Sequence, residues 1–257
     1  MKLLWVTSFG KDMYEATGQR LVRSFLRTRS TGDLLLCAEG GAGAETRHPR
    51  VRRFELEESP VLARWLAANR DIIPVELGGE AGECDCPATD VFRGHHEGCP
   101  SVWWNKNASR WFRKVVAVDY ATSLGDDHTV IWLDSDCRFR KRVDEEVVRS
   151  WFGRARLFIH KSPKRAVVES GVMGFRGEGG RRFVSLVMRR FVSGRFRRDP
   201  RWDDGYQFQR VLDLHPEITR RDLAKGISGN MHVVENSPVG EYLAHQKGVH
   251  GRSGVMW

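Results

Sequence analysis

Two carboxylates, Asp134 and Asp136, close the apolar run Thr129-Val130-Ile131-Trp132-Leu133. Every residue of that run is β-branched, aromatic or aliphatic, as in a buried strand of a parallel sheet. Side chains alternate along a strand, so residues two apart project the same way from its carboxyl end. Ligands of open α/β sheets bind outside those ends. Two like charges held together repel unless a cation lies between them, and a divalent metal ion is the usual partner. The pair therefore reads as a metal site at the mouth of an α/β sheet. Asp-x-Asp alone is a weak signal, because the spacing is common in turns; its place after a mid-chain apolar run raises it above that.

Three other groups carry potential chemistry. Asp203-Asp204-Gly205 stands at a helix start, where the macrodipole favours carboxylates; capping explains one aspartate and leaves the other over. Cys84, Cys86, His95 and Cys99 supply thiolates and an imidazole, the preferred donors of Zn²⁺, although Cys-x-Cys matches no standard finger. A dense arginine set from Arg176 to Arg201, with Phe191 and Phe196 interleaved, reads either as a solvated helix face or as a polyanion site. Trp103 and Trp104 would stack on a sugar or a base, or anchor the loop before them.

These residues need a scaffold, and the hydrophobic pattern supplies one. Strands are expected at Leu3–Val6, Asp33–Ala38, Val51–Leu56, Thr129–Leu133, Arg156–His160 and Val167–Phe175. Helical spacing follows Thr7-Ser8-Phe9-Gly10 through Tyr14, Leu21 and Phe25. Ser59-Pro60 opens a helix with a capping residue and proline at the first position, and Asn107 caps the next. Further helices are expected over Val143–Phe152, Phe183–Val192 and Trp202–Leu214. Alternation of this kind predicts a mostly parallel sheet flanked by helices. Residues 77–101, rich in Gly, Cys, His and Pro, read as a loop insertion, and the chain from Gly226 onward as a Gly/His/Asn-rich tail. With no internal repeat and no linker, 1–257 reads as one domain with an insertion.

Composition narrows the class. A chain of 257 residues, 40% hydrophobic and 29% charged, is globular rather than disordered. No apolar run approaches the ~18 residues that would span a bilayer. The N-terminal run Leu3–Val6 is too short for a signal peptide, so the cytoplasm is the expected compartment. A net charge of +9, carried mainly by arginine, favours an anionic partner such as nucleic acid, anionic lipid or a phosphorylated ligand. Five cysteines are an odd number and do not suggest a fully paired disulfide framework.

Asp134-Ser135-Asp136 after a strand resembles the metal-binding motif of GT-A-fold, nucleotide-sugar glycosyltransferases, distantly those like glycogenin. Other short motifs follow in that family's order. Thr7-Ser8-Phe9 resembles the nucleotide-binding end of the first strand, and Arg110 and Lys114 resemble the basic residues facing the donor. Glu169-Ser170-Gly171-Val172 is similar to an Asn-Ser/Ala-Gly strand, with Glu169 in place of Asn. Asp203-Asp204-Gly205 is similar to an Asp-Gln-Gly helix start, and His245-Gln246-Lys247-Gly248 to the segment carrying the third protein ligand of the metal. The rival haloacid-dehalogenase phosphatases also place two aspartates after a strand, but follow them with Thr or Val where this chain has Arg138.

The resemblance implies a Rossmann-like sheet and a hexosyltransferase-like enzyme using Mn²⁺, or Mg²⁺, held by Asp134, Asp136 and His245. It implies a nucleotide-sugar donor, with UDP as its nucleotide, met by Thr7, Ser8, Phe9, Arg110, Lys114, Ser135 and Lys247. Asp204, with Asp203 beside it, would face the sugar as general base or as donor binder. The acceptor is left open: nucleic acid (DNA included), a lipid-linked phosphate or an acidic glycan would each suit the basic surface. A basic nucleic-acid-binding protein without catalysis is the competing non-enzyme reading.

Overall fold

The computed structural model describes residues 2–72, 107–125, 127–164, 166–228 and 231–245. The candidate zinc residues Cys84, Cys86, His95 and Cys99, the pair Trp103 and Trp104, and Lys247 lie outside the described residues.

Strand β1 (Lys2–Phe9) leads into a helical stretch that opens at Lys11–Met13 and widens to π turns over Tyr14–Gly18. The stretch continues as α1 (Gln19–Thr28). Next come β2 (Asp33–Ala38), β3 (Val51–Glu55), α2 (Pro60–Ala68), α3 (Ala108–Ser123) and β4 (His128–Leu133). The second half runs β5 (Cys137–Phe139), α4 (Glu145–Phe152), β6 (Leu157–Lys161), β7 (Val168–Arg176) and α5 (Gly177–Val192). It ends with α6 (Asp204–Leu214), β8 (Arg220–Asp222) and β9 (Leu243–His245). Ser59 and Asn107 cap α2 and α3 as expected, each accepting a backbone N–H through its side chain.

Seven strands form one sheet in the order β3-β2-β1-β4-β7-β6-β8. β7 alone runs against its neighbours β4 and β6; the other paired strands are parallel. The mostly parallel α/β architecture expected from the alternation is the one that forms. Both faces of the sheet are covered, and strand parity shows how. Leu4, Val6, Val130 and Trp132 join a core with α2, α3, α5 and α6, while Leu3, Trp5, Ile131 and Leu133 join one with α1 and α4. Burial on both faces is why these strands read as continuous apolar runs.

Three expectations change. The tail after Gly226 contains β9, which pairs antiparallel with β5 in a separate two-stranded sheet. Three-residue strands carry too little periodicity to be seen in a sequence. Helix α5 starts at Gly177, six residues before the expected Phe183; glycine is a poor helix former, and Gly179 and Gly180 stand in its first turns where a Cβ would meet Arg156 and the Phe175 backbone. Phe191 and Phe196 do not stand among the arginines as an exposed stacking surface. Both are 0% exposed, stacked on each other 5.2 Å apart between centroids.

One buried polar residue ties the sheet to the segment before β9. His160 in β6 is within hydrogen-bond distance of Val172 O (3.1 Å) and Ser237 Oγ (3.0 Å). Burial pushes its imidazole down to about 4. The unfolded chain therefore binds a proton near pH 6.5 that the folded chain refuses until about pH 4. This contribution to stability is fully present above pH ~6.5 and is lost as the pH falls toward 4, by up to about 3 kcal/mol. Urea midpoints between pH 7.5 and 4.5 should show a steeper acid loss in the native chain than in His160→Asn; equal slopes would remove the assignment.

Candidate metal centre

β4 stops at Leu133 because the chain turns. Cys137 N donates to Asp134 O at 2.9 Å, closing a turn over Asp134–Cys137, and Asp134 N donates to Gly171 O of β7 at 2.8 Å. The two aspartates are thus brought together by a β-turn, not by strand alternation as the spacing suggested. On the far side of the turn β5 begins, and its Cys137 is paired directly with His245 of β9. The ribbon delivers the imidazole to the carboxylates: His245 Nε2 lies 3.3 Å from Asp136 Oδ1 and 3.7 Å from Asp134 Oδ2.

Gly171 makes room for that ring. A Cβ there would lie 2.1 Å from His245 Cε1. Glu235 fixes the backbone beneath, accepting from His245 N at 2.5 Å, and is itself paired with Arg140 at 2.5 Å. The His232 ring packs edge-on against His245, 5.1 Å between centroids.

On the other side of Asp134 lies a buried ammonium. Lys114, 6% exposed on α3, sits 2.8 Å from Asp134 Oδ1 and 2.5 Å from Asp204 Oδ2. It also donates to Ser170 O and Oγ and stands 5.0 Å from the centre of the Trp132 ring. Burial alone would disfavour its charge, but Asp134 and Asp204 outweigh that and raise its proton affinity. Burial would likewise raise the Asp134 carboxyl; Lys114, His245 and the 2.8 Å hydrogen bond from Trp132 Nε1 hold it down at about 2. Arg110, one turn before Lys114, feels Asp134, Asp204 and Asp136 against the lowering effect of its own burial.

The donor set suits a divalent cation. Asp136 Oδ1 is buried and accepts no hydrogen bond of good geometry among the described residues, although His245 Nε2 lies 3.3 Å away; a cation facing both would satisfy the oxygen. Donor atoms of Asp136, Cys137 and His245 lie within 4.8 Å of one another. Burial and the adjacent Asp136 and Asp134 keep the Cys137 thiol protonated, leaving carboxylate and imidazole as the ready ligands. Counting Asp134, Asp136 and Asp204 against Lys114 and Arg110 leaves one net negative charge, which a divalent ion would invert to attract an anion.

The remaining sequence candidates fall in distinct places. Ser135 is buried and accepts from Thr17 Oγ1 at 3.3 Å, so the π turns after β1 grip the aspartate turn. Thr7 and Phe9 are buried within β1, and Ser8 is half-buried near the strand's carboxyl end. Asp203 caps α6 by accepting from Tyr206 N and pairs with Arg201 at 2.7 Å, whereas Asp204 turns inward to Lys114 at 3% exposure. Trp132, Ser170 and Glu235 support the site. Ser170 belongs to the Glu169–Val172 stretch already noted in the sequence, whereas Trp132 and Glu235 carried no signal there as site residues.

No protein-family model matches this chain, and no curated protein sequence does. Among solved structures, the chain is similar to a glycosyltransferase involved in the glycosylation of the major capsid of PBCV-1. That match has 10% identity and a TM-score of 0.48, over 99% of this chain and 98% of the other. It is also similar to the WbbM bifunctional glycosyltransferase, at 14% identity and a TM-score of 0.44, over 87% of this chain and 39% of the other. Both are likenesses of chain path. Among the described residues no helix is long and apolar enough to cross a membrane.

Proposed function

We propose that this chain is a metal-dependent glycosyltransferase that takes a sugar from a nucleotide-sugar donor, with UDP as the nucleotide. The observation that carries the reading is the convergence of Asp134, Asp136 and His245 at the sheet's carboxyl edge, backed by Lys114. Asp134, Asp136 and His245 would hold Mn²⁺ or Mg²⁺, and the imidazole among oxygen donors favours Mn²⁺. The bound ion would offset the charge that develops on the departing diphosphate.

The protein's own part is positioning. Lys114 holds Asp134 and Asp204 apart at fixed distances, so that Asp134 presents its second oxygen to the metal side. Arg110 adds positive charge where the phosphates would lie. The Asp204 charge is already engaged by Lys114, which suits accepting hydrogen bonds from sugar hydroxyls better than abstracting a proton. Lys247, two residues past His245, is proposed as a further phosphate contact.

The test is thermal stabilisation by UDP. With Mn²⁺ and UDP near 100 times its Kd, the midpoint should rise by roughly 5–10 °C. UDP without Mn²⁺ should do little, and Asp136→Ala should abolish the rise. A chain indifferent to UDP with Mn²⁺, and releasing no nucleotide from any nucleotide-sugar, would overturn the reading.

A further inference from the structure

Phe191 and Phe196 are core residues, so they give the arginines near α5 no exposed stacking surface. What remains is a surface of different chemistry. Arg189 lies on the last turn of α5, and Arg195 and Arg198 lie on the short 3₁₀ turn that follows it. All three are exposed, and none is paired with a carboxylate among the described residues. Their neighbours are different: Arg190 is held by Asp199 and Arg197 by Asp71. The helix dipole accounts for cations on the last turn of α5 but not for those on the turn beyond. Between Arg189 and Arg195 in the chain stands Val192, 57% exposed, the most exposed large apolar residue described.

The patch borders the site. β7 runs opposite to β4, so it ends at the amino edge of the sheet and α5 returns toward the carboxyl edge. The chain then passes through the 3₁₀ turn to Asp204, which meets Lys114. Met231, 48% exposed, belongs to the same edge, since the adjacent His232 packs on His245. Leu214, the third exposed large apolar residue among those described, ends α6, eleven residues long, away from Asp204 at its start.

We infer that this edge rests on an anionic lipid surface, with Arg189, Arg195 and Arg198 at the headgroups and Val192 at the boundary. Exposed arginines that flank an exposed aliphatic residue along the chain, and pair with no carboxylate among the described residues, fit an interface that is charged outside and apolar within. Single-stranded nucleic acid would call for exposed aromatic platforms, whereas Phe191 and Phe196 are turned into the core and Trp202 packs edge-on against Phe196, partly buried. The inference is independent of sugar transfer, because its readout is lipid binding.

The test is co-sedimentation of the whole chain with phosphatidylcholine vesicles, with and without phosphatidylglycerol. Binding should require phosphatidylglycerol. Each arginine near such a surface is worth about fivefold, so R189E/R195E/R198E should weaken binding by roughly 100-fold or more. The control R20E/R23E/R27E reverses three exposed charges on α1 and should change it far less. Arg195→Glu alone, on an exposed turn, should weaken binding in the same direction on a smaller scale. No binding to phosphatidylglycerol vesicles, equal losses in the two triple variants, or tighter binding to a single-stranded DNA oligomer would each overturn the inference.

Discussion

Replacing Lys114 by methionine is expected to lower the thermal midpoint by roughly 6–20 °C. Lys114 is the sole cation within ion-pair distance of both Asp134 and Asp204 among the described residues. Methionine fills similar space and leaves two carboxylates facing each other, one of them only 3% exposed. Breaking a buried pair by removing one partner costs about 3–5 kcal/mol, and each kcal/mol moves the midpoint of a chain this size by about 2–4 °C. Removing one of the stranded charges should restore part of the loss. Lys114→Met combined with Asp204→Asn should therefore melt above Lys114→Met alone, with a coupling of about 0.5–3 kcal/mol. A Lys114→Met chain as stable as the parent would mean that the ammonium is not what holds the two carboxylates together.

The second large effect is expected from a single methyl group. Gly171→Ala would place its Cβ 2.1 Å from Cε1, 2.6 Å from Nδ1 and 2.8 Å from Nε2 of His245. The His245 side chain is 1% exposed and is paired across the ribbon to Cys137, so it has no room to step aside without leaving the aspartates. The clash is purely steric, since Gly171 does not occupy the left-handed region. Overpacking of this kind costs about 1–3 kcal/mol, so the chain should still fold. Displacing a ligand's support lowers metal affinity by about 10–100-fold, and losing the ligand lowers it further. Titration of Mn²⁺ by calorimetry or electron paramagnetic resonance should place Gly171→Ala close to His245→Ala. Unchanged Mn²⁺ affinity would separate the imidazole from the metal.

How much of this was legible in the chain depends on length scale. The strands β1, β2 and β4 announce themselves because both their faces are buried, which calls for near-continuous apolar runs. Ser59 and Asn107 were readable as caps because capping is local chemistry. Asp134 and Asp136 stood out by interrupting an apolar run. Their convergence, however, comes from a turn closed by Cys137 N, which no alternation rule contains. Two glycines inside β7 mark close approach: Gly171 admits His245, and Gly174 admits the rings of Phe158 and Phe152. Which ring each would admit was hidden, because the partners lie on other elements. Glu235 and Trp132 were invisible for the same reason. Their roles exist only once β9 has been laid beside β5 and Trp132 has been turned toward Asp134. The arginine cluster shows the opposite error, since its phenylalanines looked available only while their depth was unknown.

The β5–β9 ribbon also sets an order in time. A growing chain has synthesised every strand of the central sheet, and both aspartates, before His245 is added. The earlier product holds the carboxylate half of the centre without its imidazole. Closing the ribbon joins segments more than a hundred residues apart, a contact of the kind that forms late. Tight cation capture would then be a property of the finished polypeptide, withheld from nascent and truncated forms that already have most of the fold.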